Sequence, residues 1–310
     1  MMNPVKKMMR KNLSRHTWID RERPHLIHNK NLNLNIPYDE YIVSRSQSLL
    51  SNVNLCRLPN EMALYDSICD YYNLNINNVS VGFGATELLE RLFRLYKNHK
   101  IYIHEPSYEM ARVMCDYMDI TNTSLHSLQY KYDIKAFGYF KDENSILYIA
   151  NPNGNNGSVY DLLPLFNNFK YVIVDEVYAD FIEEPSYRLF ADNVIVLKSF
   201  SKSLGLAGLR CGFAIANEEI TKQLQKIRPV FVCNTAAELI IPELIKETRN
   251  VNDRWKESKE YFEKYFEHTK SHGPYMLFKK PNYFTNRFGY KLTHDNHYRM
   301  ALADPKTLGL

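Results

Sequence analysis

The chain has 310 residues, 45% hydrophobic and 24% charged, with a formal net charge of +4. That profile excludes fibrous and disordered classes and fits a folded protein with one large core and a smaller satellite. No apolar run approaches the roughly 18 residues of a membrane span, and no hydrophobic stretch follows the early charges as in a secretory leader, so no membrane partner is expected. Five cysteines, at positions 56, 69, 115, 211 and 233, include no C-x-x-C pair. They fit reduced thiols in a cytoplasm better than a disulfide framework.

Residues 1–50 are polar, Asn- and Arg-rich and weakly periodic, and read as an extended arm, with the domain border placed after residue 45. Its basic cluster, Lys6, Lys7, Arg10, Lys11 and Arg15, has no interleaved aromatics and no apolar face. A solvated or subunit-crossing arm suits it better than a nucleic-acid contact. A helical period follows from about Glu61 to Tyr72, then a short strand at Val79–Gly82. Gly84-Ala85-Thr86 opens a second helix with an apolar stripe through Leu88, Leu89, Leu92, Phe93 and Tyr96. Strand Ile101–Ile103 ends at Glu105-Pro106-Ser107-Tyr108 and leads into a helix at Glu109–Tyr117. Strand Ile146–Ala150 precedes an Asn/Gly turn at 151–157. Tyr171–Val174 and Val194–Leu197 are near-continuous apolar runs, the mark of strands buried on both faces of a parallel sheet, and Phe213–Ala216 is the last strand of this block. Alternating strands and helices predict a doubly wound α/β sheet with its functional groups at the carboxyl ends of the strands. That large domain is assigned to 46–225. The stretch from about Glu218 to Lys270 is mostly helical and the last forty residues are strand-rich, giving a helical linker and small domain over 226–310.

The chemistry concentrates between Asn153 and Arg210. Val172-Ile173-Val174-Asp175-Glu176-Val177-Tyr178 is an apolar strand ending in a carboxylate. Ser199-Phe200-Ser201-Lys202-Ser203-Leu204-Gly205-Leu206-Ala207-Gly208-Leu209-Arg210 places a lysine in a Ser- and Gly-rich loop with an arginine eight residues on. An acid, a lysine and an arginine so arranged suit pyridoxal 5'-phosphate. The lysine carries the cofactor covalently, the acid pairs with its pyridine nitrogen, and Ser and Arg hold its phosphate. The run resembles the lysine motif of the fold-type I pyridoxal phosphate (PLP) enzymes, in particular the histidinol-phosphate aminotransferase-like branch of the class I/II aminotransferases. That resemblance implies a mostly parallel sheet flanked by helices, a small abbreviated α/β domain, and a homodimer with active sites at the subunit interface.

The roles fall out residue by residue. Lys202 becomes the cofactor-bearing lysine and the base that moves the substrate's alpha proton. Asp175 keeps the pyridine nitrogen protonated, and Tyr178 bonds the ring's phenolic oxygen. Gly84, Ala85 and Thr86 stand at a strand-to-helix turn, where free N–H groups favour an anion. Ser199 and Arg210 complete that phosphate cradle, Arg210 with bidentate geometry, and Ser201 adds a hydroxyl. Tyr108 matches the position where the family stacks an aromatic on the cofactor ring. In His297-Tyr298-Arg299-Met300-Ala301-Leu302 the resemblance makes Arg299 the clamp for the substrate's alpha-carboxylate, with Arg287 as the nearest alternative. His294, Asp295 and His297 lack a third metal partner at useful spacing, so no metal is expected.

Three departures from the family pattern stand out. The usual Asn-Asn-Pro-Thr-Gly turn is here Asn151-Pro152-Asn153-Gly154-Asn155-Asn156-Gly157. Gly154 therefore falls where the cofactor-contacting asparagine sits, and Asn153, then Asn155, is the substitute. Cys56-Arg57-Leu58-Pro59 matches a segment whose tyrosine reaches the partner subunit's cofactor phosphate, a bond that Leu58 cannot donate. The chain is also shorter than typical relatives, chiefly in the small domain. The resulting expectation is a PLP-dependent aminotransferase moving an amino group between an amino acid, phosphorylated or phosphonate-bearing ones included, and a 2-oxo acid, both small molecules. A (phospho-)amino-acid decarboxylase or lyase on the same scaffold is the alternative within enzymes. A non-catalytic PLP-fold protein is the alternative outside them.

Overall fold

The computed structural model describes residues 36–126, 141–183, 191–288, 291–293 and 296–310. The first helix among the described residues, α1 (Glu40–Leu50), corrects the reading of residues 1–50 as wholly extended. The cap, rather than an apolar period, specifies this helix. Asp39 accepts from the Ile42 N–H at 3.0 Å, while only Ile42 and Ser46 are buried on the helix itself. Two bonds from Arg254, at 2.7 and 3.0 Å, pin the same carboxylate. The remainder of the expected arm, residues 1–35 with the basic cluster, lies outside the described residues.

The elements that follow are α2 (Met62–Tyr72), β1 (Val79–Gly82), α3 (Ala85–Leu95), β2 (Ile101–Glu105), α4 (Glu109–Tyr117), β3 (Asn122–His126), β4 (Asp142–Ala150), β5 (Phe169–Asp175), β6 (Val194–Ser199), the single turn α5 (Phe200–Ser203) and β7 (Gly212–Ile215). Seven strands form one sheet in the order β1-β7-β6-β5-β4-β2-β3. Strand β7 runs antiparallel to both its neighbours, and the other pairs are parallel. The sheet is therefore mostly parallel, as the alternation of elements predicts.

The continuous apolar runs resolve into two cores with the period-2 alternation of a strand. On one face Val172, Val174, Val194 and Val196 join Leu64, Ile68 and Phe213. On the other Ile173, Ile195 and Leu197 join Tyr148, Leu88, Leu92, Phe93 and Met114. A strand covered on both sides has no polar face to display, which is why these segments read as unbroken hydrophobic stretches.

Three helices come next, α6 (Glu218–Lys226), α7 (Thr235–Leu244) and α8 (Thr248–Tyr265). They precede β8 (His268–Thr269), β9 (Tyr275–Phe278), α9 (Tyr283–Phe288), β10 (Lys291–Leu292), β11 (Tyr298–Ala301) and the final turn α10 (Pro305–Leu308). The four short strands make an antiparallel sheet in the order β10-β11-β9-β8. The first of the two cores continues through Ile240, Ile241, Trp255, Met276 and Met300. One apolar cluster thus spans the expected border at residue 225.

Candidate active site

The parallel strands end along one edge of the large sheet, delivering Glu105 from β2, Ala150 from β4, Asp175 from β5 and Ser199 from β6. Here the chain brings together backbone groups of the kind that suit an anion. Gly84 precedes α3 at φ +83°, ψ 166°, and no side chain caps that helix. The first-turn N–H groups of Ala85 and Thr86 have no acceptor within the helix and lie at its positive end. Arg210 reaches the same turn: a Cβ on Gly84 would stand 3.0 Å from its Nη2. Gly212 lets the two segments close up, since a Cβ there would lie 2.9 Å from the Ala85 nitrogen and 2.6 Å from the Lys198 carbonyl. Tyr108 leans over the cradle, its hydroxyl 3.0 Å from Thr86 Oγ1. Ser199 is buried and caps the α5 turn by accepting from the Ser201 N–H at 3.2 Å, so its hydroxyl shapes the lysine loop. Ser201 is buried beside it.

Deeper in, Asp175 is 5% exposed. One carboxylate oxygen accepts from Tyr148 Oη at 2.7 Å and the other from the Val177 N–H at 3.2 Å. Burial pushes its pKa up, against the pull of these two donors and of Lys202. Lys202 is partly buried, its Nζ 5.7 Å from the centre of the Tyr178 ring. Burial lowers its pKa to about 7, helped by the cations Arg299, Arg210 and Lys291 and opposed by Asp175.

The turn at 151–157 forms the opposite wall. A Cβ on Gly154 would lie 2.8 Å from Tyr178 Cε2. The Tyr178 ring fills the space a side chain would need there, a physical reason for glycine at this position. Asn153 is fully buried, but both ends of its amide are engaged: Nδ2 donates to the Pro106 carbonyl at 2.8 Å and Oδ1 accepts from the Asn155 N–H at 2.9 Å. Asn155 donates from Nδ2 to the Ser107 carbonyl at 2.6 Å. Both asparagines thus brace the wall against the Glu105–Tyr108 segment.

Arg299 comes in from β11. It is buried and donates from Nη1 to the Gly154 carbonyl, while its Nε meets no acceptor among the described residues. A buried guanidinium so poorly matched calls for an anion. Arg287 is exposed and spends Nη1 on the Tyr283 hydroxyl at 2.9 Å. Among the described residues no group of three His, Cys, Asp or Glu could hold a metal; His294 and Asp295 lie outside them.

The sequence-predicted residues of the described chain therefore lie near one another, with the Asn153 amide bonded to Pro106 and Asn155. Two residues that the sequence reading passes over stand beside them. Tyr148 is the direct partner of Asp175, and Tyr275 packs edge-on against Tyr178 at 5.5 Å and donates to the Asn153 carbonyl at 2.6 Å. Tyr148 and Asp175 share a period-2 face of adjacent strands, with Ala150 paired to Asp175, a signal that could have exposed the pair.

These donors fit pyridoxal phosphate. An N-terminal turn and a guanidinium suit its phosphate, a buried carboxylate suits its pyridine nitrogen, and a lysine of depressed pKa suits its aldehyde. The fold and site together are those of a fold-type I PLP enzyme. The sequence matches Aminotransferase class I and II over residues 54–274, most of its length, and the chain belongs to that family. It is 33% identical over 233 residues to the histidinol-phosphate aminotransferase of Brachyspira hyodysenteriae, covering 70% of this chain and 65% of that one. It is 30% identical over 193 residues to the histidinol-phosphate aminotransferase of Thermococcus gammatolerans, covering 59% and 56%. The chain thus spans less than two thirds of these relatives. Histidinol-phosphate aminotransferase from Sinorhizobium meliloti, solved in complex with pyridoxal-5'-phosphate, superposes with a TM-score of 0.71 at 15% identity over 90% of this chain and 86% of that one. This last likeness is one of fold.

Proposed function

We propose that this protein is a PLP-dependent aminotransferase that moves an amino group between an amino acid and a 2-oxo acid. The observation that carries the reading is the convergence of Lys202, Asp175 and Arg210 with a buried, under-satisfied Arg299. One group of side chains would hold the cofactor, and another would hold a carboxylate beside it.

When bound, the cofactor supplies an electron-withdrawing ring that weakens the bonds at the amino-bearing carbon. The chain's residues do the rest. The α3 N-terminus, Arg210 and Ser199 would hold the phosphate. Asp175, ionised, would hold the proton on the ring nitrogen. Lys202, with a pKa near 7, is in part a free amine at neutral pH. Its Nζ can therefore take the substrate's alpha proton and return it to the neighbouring carbon. Arg299 orients the substrate by its alpha-carboxylate, and the Tyr178–Tyr275 wall keeps water from one side.

A homodimer in a cytoplasm accompanies this reading. Arg228 joins the 228–232 loop to Glu61 at 2.6 Å, and Arg57 joins the 53–61 loop to Glu238 on α7. These loops leave Leu55 83%, Leu58 68% and Val230 81% exposed. An apolar patch on two braced loops suits contact with a second copy. Buried Cys211 and Cys233, free thiols, suit a reducing compartment.

Two measurements test the function. Borohydride reduction of the cofactor-loaded protein followed by peptide mapping should place the label on Lys202, and label on another lysine overturns the assignment. A panel of amino acids should be converted to their keto acids with transfer to an added 2-oxo acid. Release of carbon dioxide instead would place the chain with the decarboxylases, and no conversion of any amine would make it non-catalytic.

A further inference from the structure

We propose that Tyr148 is a positioning residue that keeps Asp175 ionised and aimed at the cofactor's ring nitrogen. The inference rests on the cofactor reading above and adds to it a residue with no contact to substrate.

Asp175 closes β5 on the face occupied by Ile173, Ile195, Leu197 and Phe93, an apolar setting. A carboxylate in such a place gains a proton easily, because burial penalises its charge. Once neutral it no longer favours a proton on a pyridine nitrogen. The proton shared by two bases rests on the more basic one, so whatever stabilises the carboxylate's charge sends that proton to the ring. The structure provides two donors, one on each oxygen: the Val177 N–H at 3.2 Å and the Tyr148 hydroxyl at 2.7 Å. The backbone donor is present whatever the side chains are. The phenol is the shorter bond and the one the sequence has to supply.

Tyr148 is built for this. It lies in β4 paired with Ile173, and Ala150, two residues on and therefore on the same face, pairs with Asp175. The phenol reaches diagonally across one strand to the carboxylate. Tyr148 is fully buried, and its ring packs edge-on against Phe93 at 6.4 Å. Burial and the neighbouring carboxylate raise its own pKa well above the ordinary phenol value. It therefore stays protonated and keeps its hydrogen for Asp175.

The test uses the holoprotein loaded with pyridoxal phosphate labelled with ¹⁵N in its ring, so that the readout is the ring nitrogen's chemical shift rather than activity. Wild type should show a protonated nitrogen, and Asp175→Asn marks the unprotonated position. Tyr148→Phe, which removes one oxygen and keeps the ring, should move the shift towards that of Asp175→Asn. Phe93→Leu loosens the packing but keeps the hydroxyl, and should leave the shift at the wild-type position. An unchanged shift in Tyr148→Phe overturns the proposal, as does an equal move in Phe93→Leu. If Tyr148→Phe does not fold, the wild type still decides. A phenol proton held between Tyr148 and Asp175 exchanges slowly and gives a low-field ¹H resonance that vanishes in Asp175→Asn, and its absence from wild type overturns the proposal. Failure of wild type to take up the cofactor overturns the functional reading itself, an outcome distinct from a protonated wild-type ring with an indifferent Tyr148.

Discussion

Three cations act on Lys202, and removing one should be visible in two ways. Its amine becomes neutral as pH rises through about 7, with burial and then Arg299 as the leading causes. Only the neutral form attacks an aldehyde, so uptake of the cofactor by the apoprotein should be slow below that pH and speed up above it. Arg299→Leu takes away a positive neighbour, so the Lys202 pKa rises and the midpoint of the uptake profile moves to higher pH. A midpoint indifferent to Arg299 would separate the two side chains electrostatically. With amino acids the same variant should bind more weakly by roughly 1.5–3 kcal/mol, the scale of a charge-assisted hydrogen bond, while a simple amine without a carboxylate should be little affected. Spectrophotometric titration measures both. At this scale the candidate site was largely legible, because Lys202, Asp175 and Arg210 are polar residues in a spacing that core packing does not explain. Tyr148 was hidden for the opposite reason: a tyrosine in an apolar strand resembles any other core aromatic until its oxygen is seen on Asp175.

Among the elements, the start of α3 shows how backbone conformation shapes a candidate site. Gly84 sits at φ +83°, ψ 166°, a region essentially closed to residues with a Cβ, and a methyl there would meet Arg210 Nη2 at 3.0 Å. Gly84→Ala should cost about 1–3 kcal/mol of stability from the backbone alone. It should also weaken cofactor binding by displacing the guanidinium. Equilibrium dialysis of the cofactor alongside thermal unfolding would separate the two effects, and unchanged cofactor affinity would take Arg210 out of the cradle. Helix α1 makes the complementary point, since its sequence carries little apolar period and one residue does most of the specifying. Asp39 caps the helix and receives both bonds from Arg254. Asp39→Ala should therefore destabilise the fold by roughly 1–2 kcal/mol, read as a lower melting temperature, with the cofactor spectrum unaltered. The segment read as extended because hydrophobic periodicity is the main signal for a helix, and a lone cap before a polar stretch gives almost none of it.

For the whole molecule, the sheet hides both faces of its central strands, and this explains why its topology was readable while its surface was not. Runs such as Val194–Leu197 announce burial on two sides without saying what covers each. An exposed apolar loop, in contrast, reads like any other loop until its accessibility is known. Leu55, Leu58 and Val230 are such residues, exposed on loops that carry the Arg57–Glu238 and Arg228–Glu61 pairs. If two copies meet there, Val230→Asp places a charge in the contact and should weaken the dimer by roughly 2 kcal/mol or more, over tenfold in its dissociation constant. Sedimentation across a dilution series would show this. Leu58→Tyr tests the same surface from the other side, because it supplies the hydroxyl that the family resemblance leads one to expect at this position. Cofactor release should slow in the Leu58→Tyr dimer and return to the parental rate once Val230→Asp is added and the protein is diluted to monomer. Equal release rates in all three forms would mean that the two active sites are each complete within one chain.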